Sequence, residues 1–472
     1  MAIVNGNVVQ KLNNNTLVIL FKILMLINEI YNLGKKLFPI CRSITGNGVR
    51  DTLGILKKYL PKLKIHEVKS GTQVFDWRVP SEWNIKDAYV LDKFNKKIID
   101  FKKNNLHLVG YSIPISKKIK KKELFLHIHT IQKNPNAIPY VTSYYKKYWG
   151  FCISHNEKKY FNQNYKNNDE FKVVIKSFLN KKGKLTYADL IIPGKSKKEI
   201  LISTNICHPS MANNELSGPL VSIALAKNFL KTKLNKKTLR FIFIPETIGS
   251  ITYLSKKLKK LKSNVIAGYN LSCIGDERQY SYLPTKYGNS LSDKAVQKAF
   301  DDLKIKYVKY SFLQRGSDER QYNSPGVDLP IASIHRTKYG EFPEYHTSLD
   351  NFNLVTRKGL LGGYNIVKKA INIIMESPEE NLIKKTTFKA PTKTLPKNRF
   401  LCEPQLTKRD LYPHLSKFEK NKNKLTTRNY LNFLQYADGS NDLNEISNYT
   451  KVSYDQTHKI FKLMLKSQLI KL

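Results

Sequence analysis

Cysteine is scarce in this 472-residue chain. The five residues, Cys41, Cys152, Cys207, Cys273 and Cys402, are odd in number and far apart, and no C-x-x-C pair occurs. A disulfide framework is excluded on that count, and a reducing, cytoplasmic compartment is expected. Acidic residues are few as well: 37 Asp and Glu stand against 81 Lys and Arg, a formal charge of +44. Such an excess suits a polyanionic partner. The lysines are scattered through every segment, however, and form no arginine-rich arm. A general Lys/Asn/Ile bias accounts for them, so nucleic acid stays open as a partner without being favoured. Long apolar runs are missing too. The stretch TLVILFKILMLINEIY, Thr16 to Tyr31, is interrupted by Lys22 and Glu29 and is too short and too charged to span a bilayer. No small-residue cleavage site follows it, so a helix from Leu17 to Leu37 is expected in place of a signal peptide.

Four segments differ in pattern. Residues 1–65 read as a polar extension followed by helices. Over 66–175 the period becomes strand-like, which predicts a small mostly-β unit. His127 and His129 alternate within it, a spacing open to packing or to half a metal site. Over 176–385 strands and helices alternate, which predicts an α/β unit with a largely parallel or mixed sheet. Residues 386–472 read as a proline-bearing linker and a winged helix-turn-helix, its last helix carrying Lys459, Lys462 and Lys466. Protein docking is the favoured role for it, and nucleic-acid binding stays open.

The chemistry gathers around ILISTNICHPSMANNELSG, Ile200 to Gly218. Its apolar, β-branched start predicts a strand buried on both faces. Pro209 ends the strand and leaves His208 at its carboxyl end, the edge where α/β sheets gather ligands. Glu215 follows within the same loop. Later strand ends supply Glu246, in PETIGS, and Asp276, and the loop EYHTSLD supplies His346. Two imidazoles with carboxylates suit zinc, which takes nitrogen and oxygen ligands and keeps a position for water. A glutamate just outside the ligand set can take that water's proton. The ligand set expected is His208, Glu215 and His346, with Asp276 as the substitute for Glu215 and Glu246 as the base. Arg42, Arg315, Asp318 and Tyr345 are candidate substrate contacts. A surface arginine, a solvated charge run and plain packing remain the alternatives for them.

The order His loop, N-E-L-S-G, E-x-x-G-S, strand-end Asp, G-S-D and Y-H-T resembles that of the zinc aminopeptidases. More closely, FPICRSITGNGVR, VFDWRVPSEWNI, CHPSMANNELSGP, PETIGSI, RGSDERQY and RTKYGEFPEYHTSLDN resemble a zinc aminopeptidase-like family. Its members carry a small domain inserted early in the peptidase fold and a C-terminal winged helix, and are often linked to polysaccharide biosynthesis. The resemblance implies a mixed sheet flanked by helices, with residues 66–175 as the insert. It places His208 and His346 on metal histidines, Glu246 on the general base and Asp318 near the substrate pocket. Where the two-metal enzymes have a bridging aspartate, a second glutamate and a strand-end aspartate, this chain has Asn214, Thr247 and Ser272. Two dications about 3.5–4 Å apart need those charges, so one zinc or none is implied. The function expected is hydrolysis of an amide in a small-molecule, peptide or amino-sugar substrate. The alternative is a non-catalytic binding or regulatory protein on a degenerate peptidase fold. An oligomer stays open.

Overall fold

The structure, a computed structural model, describes residues 14–232, 235–378, 395–412 and 426–472. Parts of the expected polar extension and linker, residues 1–13 and 379–394, lie outside them. Helices α1 (Asn14–Leu37) and α2 (Asn47–Tyr59) lead into β1 (Lys64–Lys69). The inserted unit contains β2 (Glu82–Leu91), β3 (Lys97–Asp100), β4 (Ile115–Lys120) and β5 (Glu170–Asn180). The α/β unit follows as β6 (Lys184–Ile192), β7 (Gly194–Asn205), α3 (Ser217–Leu230), β8 (Asn235–Ile244), α4 (Ile248–Asn264), β9 (Val265–Leu271), β10 (Ser281–Leu283), α5 (Leu291–Asp302), β11 (Val308–Lys309), β12 (Ile331–His335) and α6 (Arg357–Glu376). The winged helix is α7 (Thr427–Tyr436), α8 (Leu443–Thr450) and α9 (Tyr454–Lys466), closed by Lys397–Asn398 pairing with Ile470–Lys471.

One mixed eight-stranded sheet runs β1-β6-β8-β7-β9-β12-β10-β11. The strand singled out from sequence, β7, lies at its centre, parallel to β8 and β9. Ile200 and Ile202 face one core, with α1, α2, α3, α5 and α6, while Leu201 faces the other, with α4 and the inserted unit. Each such buried side chain contributes roughly 1.5–3 kcal/mol. Gly218 lets α3 begin against these strands: a Cβ there would lie 2.2 Å from Thr204 Oγ1 and 2.3 Å from the Leu271 carbonyl oxygen.

The inserted unit is an antiparallel sheet, β3-β2-β5-β4. It leaves and rejoins the main sheet between β1 and β6, which pair with each other. Its limits therefore fall near 69 and 184, wider at the C-terminal side than the expected 66–175, because β5 pairs with β2 and not with the main sheet. The loop before α2 and the first turn of α2 grip it: Thr45 Oγ1 accepts from Trp83 N–H, and Arg50 pairs with Glu82. Gly46, at φ 98°, passes so close that a Cβ would lie 2.2 Å from the Trp83 carbonyl oxygen. The histidines of LHIHT are packing residues: His127 stacks on Trp149 and His129 hydrogen-bonds Tyr148. No helix among the described residues is long and apolar enough to cross a membrane.

Candidate active site

Each segment that reaches the carboxyl edge of the central strands turns through a left-handed backbone that L-residues rarely adopt. Ser210 follows β7 at φ 45°, Thr247 follows β8 at 64°, Cys273 follows β9 at 49°, and His346 itself sits at 55°. Such strain persists only where surrounding structure enforces it, and it clusters at functional sites. Residues Ala212–Leu216 form a π-helical turn, another feature common at such sites. That turn is held by Asp350, whose carboxylate accepts from the N–H groups of Asn213 at 2.6 Å and Asn214 at 2.9 Å.

The two histidines converge. The His208 and His346 ring centroids are 5.4 Å apart. Two imidazole ligands of one zinc ion would have their centroids roughly 5 Å apart, and this pair comes close to that, but His208, His346 and Glu246 do not bring three ligand atoms within 4.8 Å of one another. His208 Nε2 faces Glu246 Oε2 at 3.8 Å. Its Nδ1 meets Glu215 Oε2 at 2.8 Å. Glu215, expected as a ligand, meets that nitrogen through Oε2, where a carboxylate fixes tautomer and ring orientation, while its Oε1 is buried without a partner. Cys207, His208 and Glu215 place ligand atoms within 4.8 Å of one another, but that trio is already bonded to itself. Burial also pushes the Cys207 thiol up to about 12, so it is no thiolate at neutral pH.

Burial pulls His208 toward the neutral form, yet its neighbours win and hold it well above its ordinary value. Burial and then the charge of His208 hold His346 well below its ordinary value, in the neutral form that binds metals. Glu246 Oε1 accepts from Ser317 Oγ at 2.6 Å and Asn205 Nδ2 at 3.2 Å, which leaves Oε2 directed at His208.

The remaining candidates separate. Tyr345 lines the cavity and stacks on His346, with centroids 4.0 Å apart. Asp318 is buried beneath Glu246, where Oδ1 accepts from Thr247 N–H and Ser250 Oγ, each at 2.7 Å, and so caps α4. Burial, then the charge of Glu246, pushes its carboxyl up to about 7. Asp276, Arg42 and Arg315 are corrected away from their expected roles. Both oxygens of Asp276 are consumed by Asn213, Arg278 and Thr337, so it is no substitute ligand. Arg42 is buried and grips the carbonyl oxygens of His208 and Leu37, supporting the histidine loop from behind. Arg315 is buried against the winged helix, donating to Asn432 Oδ1 at 2.6 Å and the Leu431 carbonyl at 3.1 Å.

The cavity, about 830 Å³, is walled by three units. The α/β unit supplies His208, Glu246, Arg320 and His346; the insert supplies Trp77, Tyr140, Tyr144 and Tyr145. Glu403, Tyr412, Arg428 and Leu431 come from the C-terminal region. Sequence reading missed Tyr140, Asn205, Ser317 and Asp350 as site residues. Ser317 and Asp350 lie inside motifs it had singled out, RGSDERQY and EYHTSLD, but Tyr140 sits in an irregular segment with no periodic signal.

Comparison with known proteins agrees with this architecture. A family model described as a domain of unknown function (DUF4910) matches residues 31–377, and a winged helix-turn-helix model matches 394–472. A Clostridium acetobutylicum protein, named as a candidate polysaccharide biosynthesis protein with an aminopeptidase-like domain, is 47% identical over 384 residues, covering 81% of this chain and 83% of its own. The crystal structure of a candidate peptidase from the same organism superposes with TM-score 0.72 and 39% identity, over 96% of this chain and 98% of that one. A zinc aminopeptidase from Bacillus subtilis shares the fold at TM-score 0.56 and 14% identity, over 75% of this chain and 95% of that one. The chain belongs to the DUF4910 family, an aminopeptidase-like fold that here carries a C-terminal winged helix.

Proposed function

We propose that this chain is a zinc-dependent hydrolase of an amide bond, acting on a small peptide-like or amino-sugar substrate in surface-polysaccharide biosynthesis. The observation that carries the reading is the convergence of His208 and His346 at 5.4 Å with Glu246 across from His208 Nε2. These two imidazoles would hold one ion, and the uncharged Asn214, Thr247 and Ser272 argue against a second. Zinc bound there supplies a Lewis acid that activates water and polarises a carbonyl. Glu246, tethered through one oxygen by Ser317 and Asn205, keeps the other to carry a proton toward the leaving amine. Glu215 holds the His208 ring in place, and the Tyr140 ring of the insert packs beside both imidazoles. The described cysteines are all free, which supports a cytoplasmic setting.

A second reading keeps the fold and drops the chemistry. Lys459, Lys462 and Lys466 lie on the exposed side of α9, which favours a nucleic-acid-binding winged helix. One experiment separates the two. The full chain is analysed for zinc and assayed against aminoacyl arylamides and N-acetylated amino sugars, beside His208→Ala and Glu246→Gln. Zinc lost in the first variant, with zinc kept and activity down roughly 100-fold or more in the second, supports the hydrolase. An undiminished Glu246→Gln rate sinks it.

A further inference from the structure

Two phenols enter the cavity from the inserted unit. Tyr140 lies where the insert runs alongside the His346 loop: Pro139 bridges to Thr347, and the Tyr140 N–H donates to the His346 carbonyl at 2.9 Å. Its ring stands 5.2 Å from that of His208 and 5.1 Å from that of His346. Its hydroxyl meets the Tyr144 hydroxyl at 2.7 Å, and both residues line the cavity with Glu246. Neither hydroxyl has another hydrogen-bond partner among the described residues.

Two hydroxyls carry two protons, and the bond between them uses one. The second O–H is left to donate into the cavity. Hydrogen bonds in series strengthen one another. Lys338 Nζ donates to the Tyr339 carbonyl at 2.9 Å, and Arg320 bonds Thr247 and pairs with Glu403 but keeps its Nε without a partner. Tyr345 lies flat on the His346 ring.

We propose that the Tyr140–Tyr144 hydroxyl pair is an oxyanion-binding site, and that it receives the oxygen on which charge develops when an amide carbonyl is attacked. The identity of that anion rests on the hydrolase reading; the binding of an oxyanion does not. Addition of the water oxygen to the carbonyl carbon forms a C–O bond and moves the π pair onto the carbonyl oxygen. The free O–H donates a hydrogen bond to that oxygen and keeps its proton. The electron pair returns as the C–N bond breaks, and the amine leaves with the proton carried by Glu246.

Inorganic phosphate is the probe. Its binding to the zinc-loaded full chain is measured by titration calorimetry in enough salt to screen the lysine-rich surface. Phenylalanine keeps each ring's packing, so Tyr140→Phe and Tyr144→Phe should retain zinc and melting temperature. Each should weaken phosphate binding roughly ten-fold or more. A double variant that binds phosphate as tightly as wild type overturns the site, as does a wild type with no saturable phosphate binding. Phosphate bound through these hydroxyls by a protein that cleaves no amide keeps the site and removes the hydrolase reading. Wild-type cleavage with both hydroxyls removed does the opposite.

Discussion

Asp350 holds Asn213: its carboxylate accepts the Asn213 N–H at 2.6 Å and so ties the loop that carries His346 to the turn that carries Glu215. Asp350→Ala would strand two buried N–H groups, at about 1–3 kcal/mol each. A loss of about 2–4 kcal/mol is expected in urea unfolding, with weaker zinc retention, and Asp350→Asn should fall between the alanine variant and wild type. Stability unchanged in the alanine variant would show that the two loops are held by other contacts.

Ser317 aims Glu246 and also accepts from Asn205 Nδ2 at 3.2 Å. Its hydroxyl donates to Glu246 Oε1 at 2.6 Å. Ser317→Ala leaves only Asn205 on that oxygen and lets the carboxylate rotate. The kcat of amide hydrolysis should fall about ten-fold, with KM and zinc content unchanged, as expected when a reacting group loses its aim. A KM effect without a kcat effect would move Ser317 to substrate binding.

Asp318 makes stability depend on pH. Burial and Glu246 push its carboxyl up to about 7 in the folded chain, against an ordinary value of about 3.9 when unfolded. Between those values the folded state binds more protons than the unfolded one. Stability therefore falls as pH rises, by about 1.4 kcal/mol per unit, and levels off above the folded value. Asp318→Asn keeps an acceptor for Thr247 and cannot titrate, so the variant should gain on wild type between pH 5 and pH 7. Equal differences at both pH values would remove the effect.

The strands, the helices and the two histidines were legible because each rests on a local signal. Ile200–Ile206 is mostly apolar or β-branched and is followed by Pro209, and that sets His208 at a sheet edge. Side-chain direction in the loops beyond has no such signal. Asp276 and Glu246 both follow apolar strands, yet Asp276 turns inward onto Thr337 and Asn213 while Glu246 faces His208. Arg315 sits in a dense charged loop that reads as a pocket wall, and its partners Leu431 and Asn432 belong to another unit. Tyr140 reaches the site through a backbone bridge to residue 347, a pairing fixed by how two units dock.

Arg315 is the joint between those units. Arg315→Met would leave Asn432 Oδ1 and one side of Glu403 unpaired at the buried seam between the units, at a cost of about 3–5 kcal/mol. Calorimetry should then show the C-terminal region melting ahead of the rest, where wild type shows one transition. Coincident melting in the variant would mean that Lys286–Asp438 and the apolar contacts of α7 suffice.

The third wall of the cavity carries a consequence for timing. A nascent chain emerging from the ribosome can fold its central sheet and bring both imidazoles together before its final stretch exists. It has no bounded chamber until Arg428 and Leu431 have been made and docked. A chain stopped between the last helix of the α/β unit and Arg428 would keep two walls of the cavity and leave its third side open to bulk water.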